Sequence, residues 1–232
     1  MRGTRRILIA VLAVVVVAGF GVWWFVLRDT SPGKLTLRSD ADSVSSQPSA
    51  PGSLAGTWRV VAGSGDEATV AGYRVQEKFA AGVAKVTAAG RTADVTGSAT
   101  VAGTTVSAAN FDVDLTTLHS DKSERDDAIR SRGLETNKFP KASFQLTAPI
   151  QLPQITNGKV FDVTATGNLT LHGVTKKVSV PLRAKQSGSN FAVQGSLPVV
   201  MADYSISPPS VGVFVSVDDN GAFEFLLDLA KA

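Results

Sequence analysis

The chain contains no cysteine, so disulfides, thiolate catalysis and thiolate-ligated metals are excluded. Histidine is nearly absent. His119 and His172 are the two present, and neither stands in an H-x-x-x-H spacing, which makes a poor metal-ligand set. There is no nucleophile elbow, no Gly-rich phosphate loop and no dinucleotide fingerprint. A strong net charge is also missing. The formal +3 over 232 residues comes from the N-terminal 28 residues, which hold four Arg and no acid. The remainder carries 19 Lys and Arg against 20 Asp and Glu, or −1, and offers no basic stripe for nucleic acid. No segment has a helical period long enough for a β-α-β crossover.

What is present begins with Ile7–Leu27, ILIAVLAVVVVAGFGVWWFVL, a run of 21 residues without a charge. Such a run is long enough to span a bilayer as a helix. Arg2, Arg5 and Arg6 precede it, which orients residues 1–6 toward the cytoplasm. A cleaved signal peptide would have a shorter apolar core and an A-x-A-like site, whereas this run ends in Trp23-Trp24-Phe-Val-Leu-Arg. The expectation is an uncleaved transmembrane helix over 7–27, a single-pass cell-membrane protein, and an extracytoplasmic remainder. Residues 28–55, rich in Ser, Pro, Asp and Gly, read as a disordered linker.

From residue 56 to 232 the dominant signal is alternation with period two. Tyr73, Val75 and Phe79 share one parity, as do Ala93, Val95, Ala99 and Val101. Ala109-Phe111-Val113-Leu115, Ala142-Phe144-Leu146, Phe161-Val163-Ala165 and Val174-Val178-Val180-Leu182 continue it. Val211-Val213-Val215-Val217 and Phe223-Phe225-Leu227-Leu229 close the series. One apolar face and one polar face is the antiparallel pattern. Turns are expected at Ala102-Gly103, His172-Gly173, Ser187-Gly188 and Asn220-Gly221, the last as a hairpin. About eight such strands must either pair as a sandwich or close into a barrel, and periodicity alone leaves that choice open. Many inward positions are small: Ala109, Ala142 and Ala165 stand beside Phe111, Phe144 and Phe161. Their space is filled either by a ligand or by the neighbouring rings.

The series is interrupted at residues 119–144, HSDKSERDDAIRSRGLETNKFPKASF. Ser123 and Asp126 have capping-box spacing, Asp126 and Arg130 stand i,i+4, and Gly133 is a natural stop. A short helix is therefore expected over 121–133. Asp126 and Asp127 are adjacent and point about 100° apart on a helix, so they do not form a catalytic carboxylate pair.

These residues carry a resemblance. Ser120, Arg125-Asp126, Ile129-Arg130-Ser131, Phe139-Pro140, Ala142 and Phe144 resemble the signature of the YceI-like family, and Gly167 to Lys176, GNLTLHGVTK, is similar to that family's second motif. The resemblance implies an all-β fold, an antiparallel lipocalin-like β-barrel of about eight strands. It also implies binding of a polyisoprenoid or other long-chain amphiphilic lipid without catalysis. Phe111, Phe144, Phe161, Ala109, Ala142 and Ala165 would then line the lipid path, with Arg125 and His172 as candidates for the head group. The resemblance also suggests Arg125 as a structural anchor to the barrel, while His172, next to Gly173, most simply hydrogen-bonds its own turn. No cofactor or metal is expected, the partners being a long-chain isoprenoid or fatty lipid and the membrane. Two other classes stay open: a structural module of the cell envelope with a side-chain-filled barrel, and an envelope hydrolase, for which no acid, base and nucleophile converge.

Overall fold

A computed structural model describes residues 30–37, 54–79, 82–211 and 215–232. The expected transmembrane helix over 7–27 lies outside the described residues, as do Val213 and most of the linker. Among the described residues no helix is long and apolar enough to cross a membrane.

Twelve strands form one antiparallel sheet: β1 (Gly56–Val61), β2 (Val70–Phe79), β3 (Ala84–Thr92), β4 (Val95–Ala102), β5 (Thr105–Asp114), β6 (Lys141–Leu146), β7 (Ile150–Gln151), β8 (Val160–Leu171), β9 (Val174–Ser187), β10 (Asn190–Val200), β11 (Ser210–Val211) and β12 (Val215–Lys231). The sheet closes on itself. β12 pairs β10 on one side, and on the other it pairs β2 along Val215–Leu226 and β1 along Asp228–Lys231. β1 and β2 thus act as one strand broken by residues 62–69, and β3 and β4, which pair with them, act as a second bent strand. Counted this way the barrel has eight staves, with β7 and β11 as short additions beside β5 and β12. Closure removes most of the sheet edges on which chains aggregate, β3 keeping an outer side paired only at one bridge among the described residues. At one end the Arg91–His119 bridge completes the ring, with each backbone N–H donating to the other's carbonyl.

Turn chemistry accounts for three hairpins. Gly103 and Gly188 take positive φ, and His172 and Gly173 both do (51° and 75°), as a two-residue primed turn requires. Asn220-Gly221 is different. It is a bulge inside β12, where the register against β2 shifts between Val217 and Gly221 and the strand continues in the same direction. Gly221 packs so closely on Val75 that a Cβ would come within 2.7 Å of its Cγ1. The dipeptide that suits a hairpin also suits a bulge, and the hairpin itself is formed by β11 and β12.

The helix, α1 (Ser123–Ala128), runs on through a π turn at Ile129–Gly133 and covers one barrel end. Its capping differs from expectation. Asp126 does not box with Ser123; its Oδ1 reaches back to accept from the Ser120 N–H at 2.9 Å. Nor does it pair with Arg130, which bonds Asp127 at 2.9 Å on the exposed face. The left-handed residue that ends the segment is Glu135 (φ 47°) rather than Gly133, which is buried against Ile129 and Pro209.

The linker reading also needs revision. Residues 30–37 lie along the outside of the barrel, and Leu37, at 3% exposure, packs on Ala192 and Leu226. The Leu35-Thr36-Leu37 alternation puts two apolar side chains on one side of an extended segment, which is what lets so polar a stretch dock.

Candidate lipid site

Among the described residues an inner cavity and a vestibule lie within the barrel. The inner cavity, about 170 Å³, has a wholly apolar lining drawn from all eight staves. Phe111, Phe144, Phe161, Ala109, Ala142 and Ala165 all line it, on the faces that strand parity assigns to them. Its openness has a local cause. Phe225 lies over Gly195, its cross-strand partner, so closely that a Cβ there would come within 2.3 Å of Cζ. Phe111 lies over Gly97 in the same way, and Phe144 over Gly167. Rings laid flat over strand glycines thicken the wall and leave the centre free. At the far end Trp58 packs edge-on against Phe191, with ring centroids 4.9 Å apart, and Trp58 Nε1 donates to the Leu54 carbonyl.

The second space, a vestibule of about 490 Å³, lies between β2, β12 and α1 at the helix end. Tyr73, Val75, Glu77 and Phe79 line it from β2, Lys122, Arg125 and Arg132 from the helical segment, and Met201, Ile206 and Pro209 from the chain after β10. Phe223 faces both spaces and separates them. The Tyr204–Pro209 stretch is seated in place: Tyr204 and Ile206 are buried.

The Arg125 guanidinium, at the vestibule wall, is engaged by acids. Nε and Nη2 donate to the two Glu77 carboxylate oxygens at 2.7 and 2.9 Å, and Nη1 donates to Asp121. Burial works against its charge, but the Glu77 hydrogen bonds and charge, joined by Asp121, hold its pKa above the ordinary arginine range. This supports the anchoring role over head-group contact. Tyr73 Oη is buried beside Ser120 and this pair without a hydrogen bond of good geometry. Burial raises the Tyr73 pKa, only partly offset by Arg125, so the phenol stays neutral.

His172 lines neither space and does not bond its own turn. Nδ1 donates to the Tyr204 carbonyl at 3.1 Å, since a carbonyl can only accept. Nε2 meets Glu135 Oε2 at 2.8 Å, and Phe139 packs on the ring at 4.2 Å between centroids. The imidazole is thus held between the chain after β10 and the segment that follows the helix. His119 is exposed, with Asp126 3.7 Å away.

Glu77 is the residue sequence reasoning missed. It shares the parity of Tyr73, Val75 and Phe79, and an acid on an inward face needs a cation. Among the described residues no group of three His, Asp or Glu is arranged to hold a metal ion.

The two motif segments thus meet at one barrel end, with Phe139 against His172 and Arg125 clamped to the wall, and the YceI-like domain profile matches residues 66–229. The chain belongs to the YceI-like family. A UPF0312 protein of Vibrio parahaemolyticus is 34% identical over 116 residues, covering 47% of this chain and 57% of the relative. A Vibrio campbellii UPF0312 protein is 37% identical over 82 residues, covering 35% and 40%. This YceI-like chain therefore spans only about half the length of those relatives. Among solved structures, a polyisoprenoid-binding domain from Saccharophagus degradans implicated in plant cell wall breakdown shares the fold at a TM-score of 0.54 and 16% identity, covering 71% of this chain and 98% of that one. BcnA of Burkholderia cenocepacia does so at 0.53 and 18%, covering 68% and 95%.

Proposed function

We propose that this YceI-like protein is a non-catalytic carrier of a polyisoprenoid or another long-chain amphiphilic lipid, tethered to the cell membrane through residues 7–27 with its barrel outside the cytoplasm. The observation that carries the reading is the wholly apolar inner cavity lined from every stave. The fold shared with a polyisoprenoid-binding domain supports it. Each buried methylene contributes about 0.8 kcal/mol, so a long chain binds without strong head-group contacts. The charged groups near the mouth, Arg125, Glu77 and Asp121, are engaged with one another, which suits a binding role rather than acid–base chemistry.

Size sets the terms. An inner cavity of about 170 Å³ compares with the engineered cavity of about 150 Å³ that holds benzene. It takes a short piece of chain, so a long lipid must also occupy the vestibule, passing where Phe223 now stands. The same modest volume is what favours the second reading, a structural module of the cell envelope with a side-chain-filled barrel.

Native mass spectrometry of the gently purified chain, with extraction and identification of any bound lipid, decides between them. A stoichiometric lipid mass is expected. A clean apo mass across preparations, with no lipid taken up from mixed micelles, overturns the carrier and leaves the module.

A further inference from the structure

Residues 30–37 form a strap whose path relates the barrel to whatever precedes it. Thr30 Oγ1 donates to Asp121, the residue that also holds Arg125 at the vestibule. Burial works against the Asp121 charge, but the Thr30 hydrogen bond and the charge of Arg125 hold its pKa below the usual range. From there the strap descends the outer wall. Ser31 Oγ donates to the Thr87 carbonyl at 2.8 Å, Arg74 donates to the Pro32 carbonyl at 2.8 Å, and Arg91 donates to the Gly33 carbonyl. Glu224 accepts from Arg74 Nε at 2.9 Å and steadies that side chain. Leu35 and Leu37 finish the strap at the barrel waist, against Val70, Val160, Ala192 and Leu226. The strap therefore starts at the helix end, beside the mouth, and leads away from it.

Three chain steps separate Thr30 from Leu27, the last residue of the uncharged run. Fully extended they reach at most about 11 Å. If residues 7–27 span the membrane, Thr30, bonded to Asp121 at the helix end, lies within that distance of the end of the span. A second observation concerns the rim itself. The two large hydrophobic side chains that stand out as exposed among the described residues, Val83 at 87% and Val200 at 45%, both lie at this end. Val83 is in the turn between β2 and β3, and Val200 is the last residue of β10. Singly such residues need no explanation, but here both stand on the one rim that the strap holds close to lipid.

We propose that the strap orients the barrel mouth-down, so that the rim bearing Val83 and Val200 rests on the bilayer surface and the vestibule opens onto lipid. The partner is the lipid bilayer, and entry is from the membrane rather than from water. The proposal rests on the reading of residues 7–27 as a membrane span, and it adds an orientation to the carrier reading.

The absence of cysteine makes a single introduced thiol a unique label. Full-length Val83→Cys and Ser189→Cys, the latter in the turn between β9 and β10 at the opposite end, are labelled with an environment-sensitive fluorophore. They are then reconstituted into phosphatidylcholine–phosphatidylglycerol vesicles carrying a head-group quencher. Quenching is expected to be several-fold greater at Val83→Cys. A flexible Gly-Ser linker of about 12 residues inserted between Asp29 and Thr30, with an r.m.s. reach of about 20 Å, leaves the strap docked and is expected to abolish most of that difference. Leu37→Asp, which undocks the strap, is expected to do the same. Equal quenching at the two positions, a difference that survives both variants, or failure to float with the vesicles overturns the proposal. Native mass spectrometry on the same samples reads lipid occupancy separately. Retained lipid with equal quenching sinks the orientation alone, and a preserved quenching difference in a lipid-free barrel sinks the carrier alone.

Discussion

His172 Nε2 and Glu135 Oε2 meet at 2.8 Å, and both residues hold left-handed backbones, at φ 51° and 47°. One contact thus joins two left-handed backbones, in the β8–β9 turn and in the segment that ends the helix. Neither side chain faces the cavity. His172→Ala is expected to lose about 1–3 kcal/mol, chiefly the cost of orphaning the carbonyl of buried Tyr204, since Glu135 can turn to water. For a domain of this size that is a fall of roughly 2–12 °C in Tm at 2–4 °C per kcal/mol. Bound-lipid mass should be unchanged. A thermal melt with lipid mass spectrometry checks both, and loss of lipid at unchanged Tm would contradict the structural role.

Arg125→Met is expected to cost about 3–5 kcal/mol, because it leaves the Glu77 carboxylate buried without its cation. The double variant Arg125→Met with Glu77→Leu should recover most of that loss. Chemical denaturation of the two single variants and the double variant measures the coupling. Additive losses would show that the pair does not act as a unit.

Gly195→Ala targets the lumen through its wall. The new methyl occupies the space of the Phe225 ring, which must swing inward. Lipid occupancy should fall while the strand pairing is kept, and circular dichroism alongside native mass spectrometry tests this. Full occupancy in a well-folded Gly195→Ala protein would show that the flat rings do not create the space.

Asp228 supplies the pH dependence. It is buried on β12, accepts from Asn190 at 3.1 Å, and leaves Oδ1 without a partner. Burial raises its pKa, partly offset by the Asn190 hydrogen bond. A carboxyl raised in the folded state is stabilising while protonated, and that stability is lost as pH rises from the unfolded value near 3.9 through the folded one. Asp228→Asn should therefore match the unmodified protein in acid and exceed it in Tm at neutral pH. A gain that appears only in acid would reverse the sign.

Much of the barrel was legible because inward and outward residues alternate so cleanly. Phe111, Phe144 and Phe161 point where their parity places them, and the turns at Gly103, Gly173 and Gly188 stand where glycine permits positive φ. Long-range choices were harder. Asn220-Gly221 is locally equivalent in a hairpin and in a bulge, and only the pairing of β12 with β2 separates them. Asp126 had two neighbours within reach as capping partners, Ser123 by spacing and Ser120 by the actual path of the chain. Leu35 and Leu37 were hidden among polar residues because their partners, Ala192 and Leu226, are some 150 residues or more away in sequence. Glu77 could have been found by asking why an acid interrupts an apolar face.

The pairing of β12 also governs when the protein becomes what it is. This strand, last in chain order, joins β10 to both β1 and β2, and without it the other staves form an open sheet with two unpaired margins. During synthesis every earlier strand therefore emerges before an enclosed interior exists. The barrel can enclose a hydrocarbon chain only after its final seventeen-residue strand has joined ends that were made first and last. Such ring closure over nearly the full sequence length is slow relative to local contacts. A chain interrupted before Val215 would expose the Phe and Val lining to water, making incomplete molecules strong candidates for capture by chaperones or proteases.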